Sequence, residues 1–229
     1  DFEPIRRRLL AIMDSQARIP FVAKHGAWYY NFWRDEKNVR GVWRRTTLAE
    51  YKKADPAWET VLDLDKLSAA ESANWVWKGY AVLYPAYDRA LLFLSRGGAD
   101  AQVVREFDLR TRAFIKDGFS LPEAKSEVAW RNRDTLYVGT DFGPGSLTSS
   151  GYPRIIKEWR RGTPLAEAQV VFEGKPEDVS VGAHVVHDHG FTYEFIRRGV
   201  TFFTSRYYVL QAGQLVQNRF FFNPELEAK

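Results

Sequence analysis

The sequence predicts an all-β chain, a partial β-propeller of about four four-stranded antiparallel blades with a short N-terminal helix. From Phe21 onward, short runs of aromatic and β-branched residues alternate with Gly, Asp, Asn and Pro, which is typical of strands joined by turns. Similar acidic segments precede a strand at 71, 123 and 175, about 52 residues apart. Four candidate strands fall within each period, as in a propeller blade.

Several of these strands, such as "ALLFLS" and "TFFTSRYYVL", are apolar on both faces. A strand of this kind is covered on both sides of its sheet, and a propeller blade buries both faces against its neighbours. A generic β-sandwich is the alternative architecture. The regular spacing of the strands argues against it.

The elements follow in order along the chain. Ile5, Leu9, Ile12 and Met13 have helical spacing, so residues 1–20 are predicted to form a helix and a linker, and 65–73 is a second candidate helix. Residues 21–229 are predicted to form the incomplete propeller. Its four blades are expected at 21–65, 75–117, 126–173 and 179–219.

Composition excludes several classes of protein. The chain has no cysteine, which excludes disulfides, thiol catalysis and cysteine metal sites. No apolar run reaches the roughly 18 residues of a membrane span, and a net charge of +4 does not require an acidic partner. We therefore predict no membrane and no nucleic-acid partner. The compartment stays open, since a chain without cysteine folds in the cytosol or the periplasm, with the cytoplasm slightly favoured. Because the chain starts at Asp1 without a methionine or a signal-like run, we expect a piece of a longer protein or a processed product.

The segment "DFGPGSLTSSGYPR", residues 141–154, is rich in glycine, proline and serine. It lacks the Gly-x-Ser-x-Gly of a nucleophile elbow and the lysine of a phosphate loop. We interpret it as an enlarged loop between the second and third strands of the third blade, with an Asp141–Arg154 pair joining its ends. The candidate site residues in this loop are Asp141, Phe142, Gly143, Pro144, Gly145, Ser146, Tyr152 and Arg154.

The segment "HVVHDHG" concentrates three of the four histidines. Histidine and carboxylate clusters bind divalent metals, so His184, His187 and His189 are the candidate ligands. However, His184 and His187 lie three residues apart on a strand and therefore point to opposite faces. Asp188, His189 and Gly190 are typical of a hairpin turn. We predict a turn, no metal site and no cofactor.

Two further patterns were weighed. Arginines follow aromatic residues at 43–47, 158–162 and 195–199, a composition that suits single-stranded nucleic acid. Because neighbouring strand residues face opposite sides, we expect the aromatic residues to pack between blades and the arginines to pair with carboxylates such as Asp35, Glu158 and Asp178. Paired carboxylates of a glycosidase are the second alternative, although none stands out by spacing among Asp63, Asp65, Asp108, Asp134 and Asp141.

The order and combined length of several segments resemble the prolyl oligopeptidase family of serine peptidases, above all its bacterial members. The resemblance is to the N-terminal β-propeller and runs from about Arg18 to about Leu210. The segments that carry it are "RIPFVAKHGAWYYNFWRDEKNVRGVWRRTTLAEY", "PAWETVLDLD", "NWVWKGY", "LSRGGADA", "REFDL", "KSEVAW", "TLYVGTDFGPGSLTSSGYPR" and "KEWRRGTPL".

The resemblance implies a larger enzyme. In this family a seven-bladed propeller caps an α/β-hydrolase domain that carries Ser, Asp and His. The propeller restricts access to the catalytic site, so that short peptides are cut and folded proteins are excluded. Cleavage is after proline, or after basic residues in the oligopeptidase B branch. This chain departs from the pattern because about four blades are present and no Gly-x-Ser-x-Gly occurs. No catalytic residue is therefore assigned.

The prediction is a non-catalytic, substrate-gating propeller portion of a serine oligopeptidase, inactive alone. Its expected partners are its own C-terminal hydrolase domain and the peptide substrates of the intact enzyme. An incomplete array would expose apolar blade faces, so the chain is expected to close differently, to stay partly open, or to self-associate through blade edges. The alternative function is a free-standing propeller that serves as a protein-interaction scaffold.

Overall fold

The structure is a computed structural model that describes residues 2–15, 17–211 and 214–218. Helix α1 spans Phe2–Asp14 and α3 spans Leu64–Glu71, so both predicted helices are confirmed. The short helix α2, Leu48–Tyr51, was not predicted. It begins where the Thr47 side chain accepts a hydrogen bond from the Glu50 backbone N–H, a capping arrangement that ends the preceding strand.

Four antiparallel sheets make up most of the described chain, each with its strands in chain order. The first contains β1 Ala23–His25, β2 Trp28–Trp33, β3 Val42–Thr47 and β4 Glu59–Asp63. The second contains β5 Trp75–Val82, β6 Arg89–Arg96, β7 Gln102–Asp108 and β8 Ala113–Phe114, and β9 Ser120–Ala124 also pairs with β7.

The third sheet contains β10 Glu127–Asn132, β11 Thr135–Gly139, β12 Ile155–Arg160 and β13 Gln169–Glu173, with a 3-10 turn at Leu165–Glu167. The fourth contains β14 Ser180–Asp188, β15 Phe191–Gly199, β16 Ser205–Gln211 and β17 Gln214–Asn218. The fold is all-β, four propeller blades with one N-terminal helix, and the predicted fold class is confirmed.

Strand β9 was missed by the sequence reasoning. Pro122 lies within it and lowers its apparent strand propensity. Leu121 is nonetheless buried and lies opposite Val104 of β7. The predicted fourth strand of the second blade is shorter than expected, because only Ala113 and Phe114 pair with β7.

The chain divides into two compact units, one of residues 1–99 and 107–114 and the other of residues 100–106 and 115–229. In the first unit a core forms around the fully buried Trp43, together with Tyr30, Val61, Ala90, Leu92, Phe107 and Leu109. In the second unit, strands of the third and fourth sheets share a core of Tyr137, Ile156, Val181, Ala183 and Ile196. These cores arise because both faces of the strands are apolar.

Helix α1 buries none of its residues. The apolar positions that predicted it, Ile5, Leu9, Ile12 and Met13, are exposed. No helix among the described residues is long and apolar enough to cross a membrane.

Candidate functional site

The loop between β11 and β12, residues 140–154, lies where the sequence predicted it, between the second and third strands of its sheet. Its first part is a tight turn around Ser146. The Asp141 carboxylate accepts from the Gly143 N–H at 2.9 Å. The buried Ser146 hydroxyl accepts from the Phe142 N–H at 2.9 Å and donates to the Gly143 carbonyl at 2.7 Å. The hydroxyl therefore supports a turn.

The predicted pair between Asp141 and Arg154 is wrong. The Arg154 guanidinium instead donates to the Gly145 carbonyl at 2.7 Å, to Glu173 at 2.6 Å and to the Gly174 carbonyl at 2.9 Å. The Asp141 carboxylate is satisfied within its own turn, where it accepts from the Gly143 N–H and lies 3.2 Å from the Ser146 hydroxyl. Arg154 instead ties the end of the loop to its tip, through the Gly145 carbonyl.

Two neighbouring segments of the same unit hold the loop from one side. The Lys125 ammonium donates to the Ser150 carbonyl at 3.2 Å and lies 4.1 Å above the Tyr152 ring. The Tyr152 hydroxyl donates to Asp100 at 3.0 Å, and this hydrogen bond raises the pKa of the tyrosine. Lys125 and Asp100 were missed by the sequence reasoning because they lie far from the loop in the chain.

The other side of the loop contacts the turn that precedes β14. The Ser149 N–H donates to the Pro176 carbonyl at 2.8 Å, and the Thr148 hydroxyl donates to the Val179 carbonyl at 3.2 Å. Pro144 and Gly145 remain exposed at the tip. The loop is thus a fixed surface held at both flanks, with a small exposed tip.

Arg154→Ala is expected to speed chymotrypsin cleavage within residues 141–153 about tenfold, because lost charge-assisted hydrogen bonds cost roughly 1.5–3 kcal/mol and local opening rises tenfold per 1.4 kcal/mol. Cleavage after Phe142, which Gly143 follows, is monitored by mass spectrometry. Arg160→Ala is the matched control, because Arg160 is exposed and lies 3.8 Å from its partner Glu158. Equal cleavage rates in the two variants would contradict the anchoring role of Arg154.

The turn that receives the loop is held by a buried ion pair. The Arg198 guanidinium donates two hydrogen bonds to Asp178, at 2.7 and 2.8 Å, and the Lys175 N–H donates a third at 2.6 Å. Burial acts to raise the pKa of Asp178, but the hydrogen bonds from Arg198 and Lys175 outweigh it and hold the pKa below its usual value of 3.8.

A carboxyl group whose pKa is lowered by folding stabilises the protein above its unfolded pKa. This stabilisation is lost as the pH falls from about 4 through the lower folded value. Asp178→Asn is therefore expected to lower the free energy of unfolding by about 2 kcal/mol at pH 7, with a smaller difference at pH 3. Urea unfolding across this range measures it. A difference that stays constant down to pH 3 would exclude the predicted linkage.

The histidines occupy separate structural positions. His184 stacks on Phe195 with ring centroids 5.2 Å apart, and desolvation lowers its pKa. His187 bonds to the Thr192 hydroxyl at 2.9 Å, and His189 bonds to Asp188 at 2.7 Å. His189 and Gly190 have positive φ in the two-residue hairpin turn, as expected for the residues of such a turn. Among the described residues, no three His, Asp or Glu side chains form a metal-binding group.

The arginine–aromatic pattern is explained mostly by ion pairs. Arg45 pairs with Glu59 at 2.7 Å, Arg161 with Glu106 at 2.8 Å, and Arg198 with Asp178. Arg44 has a different arrangement.

The Arg44 guanidinium lies between the Trp33 and Trp58 rings, 4.4 and 4.2 Å from their centroids. Burial lowers its pKa to about 10. Alternation along β3 predicted a face for Arg44, but not that two tryptophans would sandwich it.

The five carboxylates considered for a glycosidase each support local structure. Four accept backbone N–H groups and one pairs with an arginine: Asp63 with Lys66, Asp65 with Arg40, Asp108 with Thr111, Asp141 with Gly143, and Asp134 with Arg161.

Comparison with known proteins identifies the family. Residues 3–228 match the family described as prolyl oligopeptidase, N-terminal beta-propeller domain. Among curated relatives, an uncharacterized peptidase of Sinorhizobium fredii is 42% identical over 86% of this chain and 27% of its own length. One of Rickettsia prowazekii is 32% identical over 80% of this chain and 26% of its own. The chain thus spans about a quarter of these relatives.

Solved structures agree in fold. A post-proline cleaving enzyme from Rickettsia typhi superposes with a TM-score of 0.85 at 30% identity, over 95% of this chain and 33% of that one. Oligopeptidase B from Leishmania major superposes with a TM-score of 0.70 at 12% identity, over 94% of this chain and 30% of that one, a likeness of fold alone. Taken with the four blades, these matches establish that the chain belongs to the prolyl oligopeptidase family, as its N-terminal β-propeller domain.

Proposed function

We propose that this chain is the non-catalytic, substrate-gating propeller portion of a serine peptidase that hydrolyses short peptides. The observation that carries the proposal is the family match over residues 3–228. The absence of Gly-x-Ser-x-Gly from the 229 residues supports a non-catalytic role. The proposed partners are a C-terminal α/β-hydrolase domain and its peptide substrates. The division into an N-terminal helix and linker, 1–20, and an incomplete propeller, 21–229, is part of the same proposal.

The loop from Asp141 to Arg154 is proposed as a gating or inter-domain surface. The proposal is supported by the hydrogen bonds that fix the loop, since a surface that selects peptides by shape has to be rigid. Hydrogen bonds from Lys125 and to Pro176 hold its two flanks. Pro144 and Gly145 at its tip are exposed, together with Asp141, Ser149 and Ser150, and these residues are proposed to contact a peptide or a neighbouring domain.

A chromogenic peptide with proline before the scissile bond tests the proposal. The 229-residue chain alone is expected to give no turnover, whereas the longer protein that contains it is expected to cleave the peptide. Treatment of the longer protein with a serine-directed inhibitor should abolish that cleavage. Inhibitor-sensitive turnover by the 229-residue chain would contradict the non-catalytic role, and an inactive longer protein would favour the scaffold alternative.

The isolated chain is expected to self-associate through the fourth sheet. Val186, Phe191 and Tyr193 lie on one face of β14 and β15, opposite the core residues, and are 44, 65 and 48% exposed. Exposed apolar patches promote association. Light scattering at rising protein concentration should show a mass above that of a monomer, and Phe191→Ser should reduce it. A concentration-independent monomer would contradict this expectation.

A further inference from the structure

A cavity of about 330 Å³ lies in the first unit, where the loop after β2 meets the start of β5. Its apolar part includes Phe32, Trp75 and Trp77, and the Phe32 and Trp77 rings stack in parallel with centroids 5.0 Å apart. Its polar lining includes Arg34 and Arg40. Small-molecule sites commonly combine an apolar lining with a few convergent polar groups.

The loop that carries both arginines is preorganised. The Asp35 carboxylate accepts the N–H groups of Lys37 and Asn38. Gly41 has φ +112°, and a Cβ built there would lie 2.7 Å from Phe32 Cε1 and 3.0 Å from Arg34 Cγ. Only glycine combines this backbone conformation with this contact. The loop backbone at Gly41 therefore lies directly against Phe32 and the Arg34 side chain.

Neither arginine forms an ion pair with another described residue. Arg34 uses its Nε to donate to the Val39 carbonyl. Arg40 uses one terminal nitrogen to donate to Asn74 and to the Trp75 carbonyl. The remaining N–H groups of both guanidiniums have no acceptor among the described residues. Elsewhere in the unit, Arg45 and Arg112 both pair with Glu59.

Asp65 also lines the cavity. Its two carboxylate oxygens each lie 3.1 Å from the Arg40 backbone N–H, and it belongs to the first turn of α3, where the helix dipole favours a negative charge. Two guanidiniums and one carboxylate leave the cavity with one net positive charge. An anionic group is therefore the complementary ligand.

We propose that this cavity binds the C-terminal carboxylate of a peptide, with the guanidiniums of Arg34 and Arg40 on the carboxylate and the last side chain against Phe32 and Trp77. Arginine presents paired N–H groups that match a carboxylate, and the stacked rings offer an apolar surface to the adjoining side chain. In naming a peptide as the occupant, the inference rests on the proposed function.

The test uses the longer natural protein, with its peptidase blocked by a serine-directed inhibitor, and saturation-transfer NMR to observe the ligand. The probes are N-acetylglycyl-leucine, its C-terminal amide, and acetate. The free acid is expected to bind at least about tenfold more tightly than the amide, as expected for about 1.4 kcal/mol. Acetate should bind more weakly than the free acid, because it lacks the apolar side chain.

Arg34→Ala should abolish the preference for the free acid over the amide. Arg34→Lys should retain part of this preference, because lysine keeps the positive charge but lacks the paired N–H groups of the guanidinium. Lys37→Ala is the matched control, since it removes one charge from the same loop without lining the cavity, and it should keep the full preference. Circular dichroism verifies that each variant is folded.

Three results would overturn the inference: equal affinity for acid and amide, acetate binding as tightly as the peptide, or equal losses in Arg34→Ala and Lys37→Ala. Peptide binding is measured with catalysis blocked, so failure of the binding proposal is distinguishable from failure of the proposed peptidase function. An inactive longer protein that still prefers the free acid would contradict the peptidase proposal alone.

Discussion

Glu106→Ala is expected to lower the free energy of unfolding by about 3–5 kcal/mol, the usual cost of removing one partner of a buried ion pair. The Glu106 side chain is 0% exposed. It accepts two hydrogen bonds from the Arg161 guanidinium, at 2.8 and 3.0 Å, and one from the Phe119 N–H at 2.8 Å. The substitution leaves a buried N–H without an acceptor and a guanidinium without its main counter-charge.

Asp134→Ala provides the control, because Asp134 pairs with the same arginine at 3.1 Å but is 70% exposed. Its loss is expected to cost less than about 1 kcal/mol, as for a surface ion pair. Urea unfolding monitored by circular dichroism compares the two variants. Equal destabilisation by both would show that burial does not determine the strength of the Glu106 contact.

Trp43→Ala is expected to destabilise the first unit by about 3–5 kcal/mol, the range for removing a large aromatic side chain from a core. Trp43 is 0% exposed. Its ring centroid lies 5.2 Å from that of Tyr30, 5.3 Å from Trp77, 4.6 Å from Tyr80 and 6.3 Å from Phe107. Four rings would therefore border the cavity, which they could fill only by moving together. Far-UV circular dichroism during urea unfolding measures the loss without relying on tryptophan fluorescence.

Trp43→Phe separates the volume of the ring from its polar group. The buried Trp43 Nε1–H has no hydrogen-bond partner among the described residues, so replacing the indole by a phenyl ring removes an unsatisfied donor as well as some contacts. We expect less than half of the alanine effect. Destabilisation by Trp43→Ala of less than about 1 kcal/mol would contradict the central position of this ring in the core.

Much of the fold could be predicted because strand signals are local and the blade repeat makes them periodic. The acidic segments at 71, 123 and 175 precede β5, β10 and β14. The turn at His189 and Gly190 was likewise predicted, since the need for positive φ depends on these two residues alone. Strand β9 was missed because Pro122 lowers its strand propensity, whereas pairing with β7 stabilises it.

The candidate site was less accessible to sequence reasoning. The motif tests assigned Ser146 no catalytic role, and in the structure its hydroxyl accepts from the Phe142 N–H and donates to the Gly143 carbonyl. They did not identify the partners of Arg154. A guanidinium can donate to any carbonyl or carboxylate that folding brings near, so its partners cannot be deduced from the sequence. The same holds for Lys125 and Asp100, which reach the loop from other strands.

By itself, the sequence determined that this protein is a chain of aromatic-rich strands in a fourfold repeat, with the order of segments found in the prolyl oligopeptidase family. The alternation of apolar residues, the turn residues and the strand spacing depend on residues close together in the sequence, so they can be recognised from the sequence alone. Only the tertiary structure decided that Arg44 lies between two tryptophans, that Glu106 is buried beneath Arg161, and that Arg34 and Arg40 share one cavity. These contacts depend on which residues, distant in the sequence, come together when the sheets pack. The ion-pair and hydrogen-bond partners of a charged side chain are therefore decided by the tertiary structure.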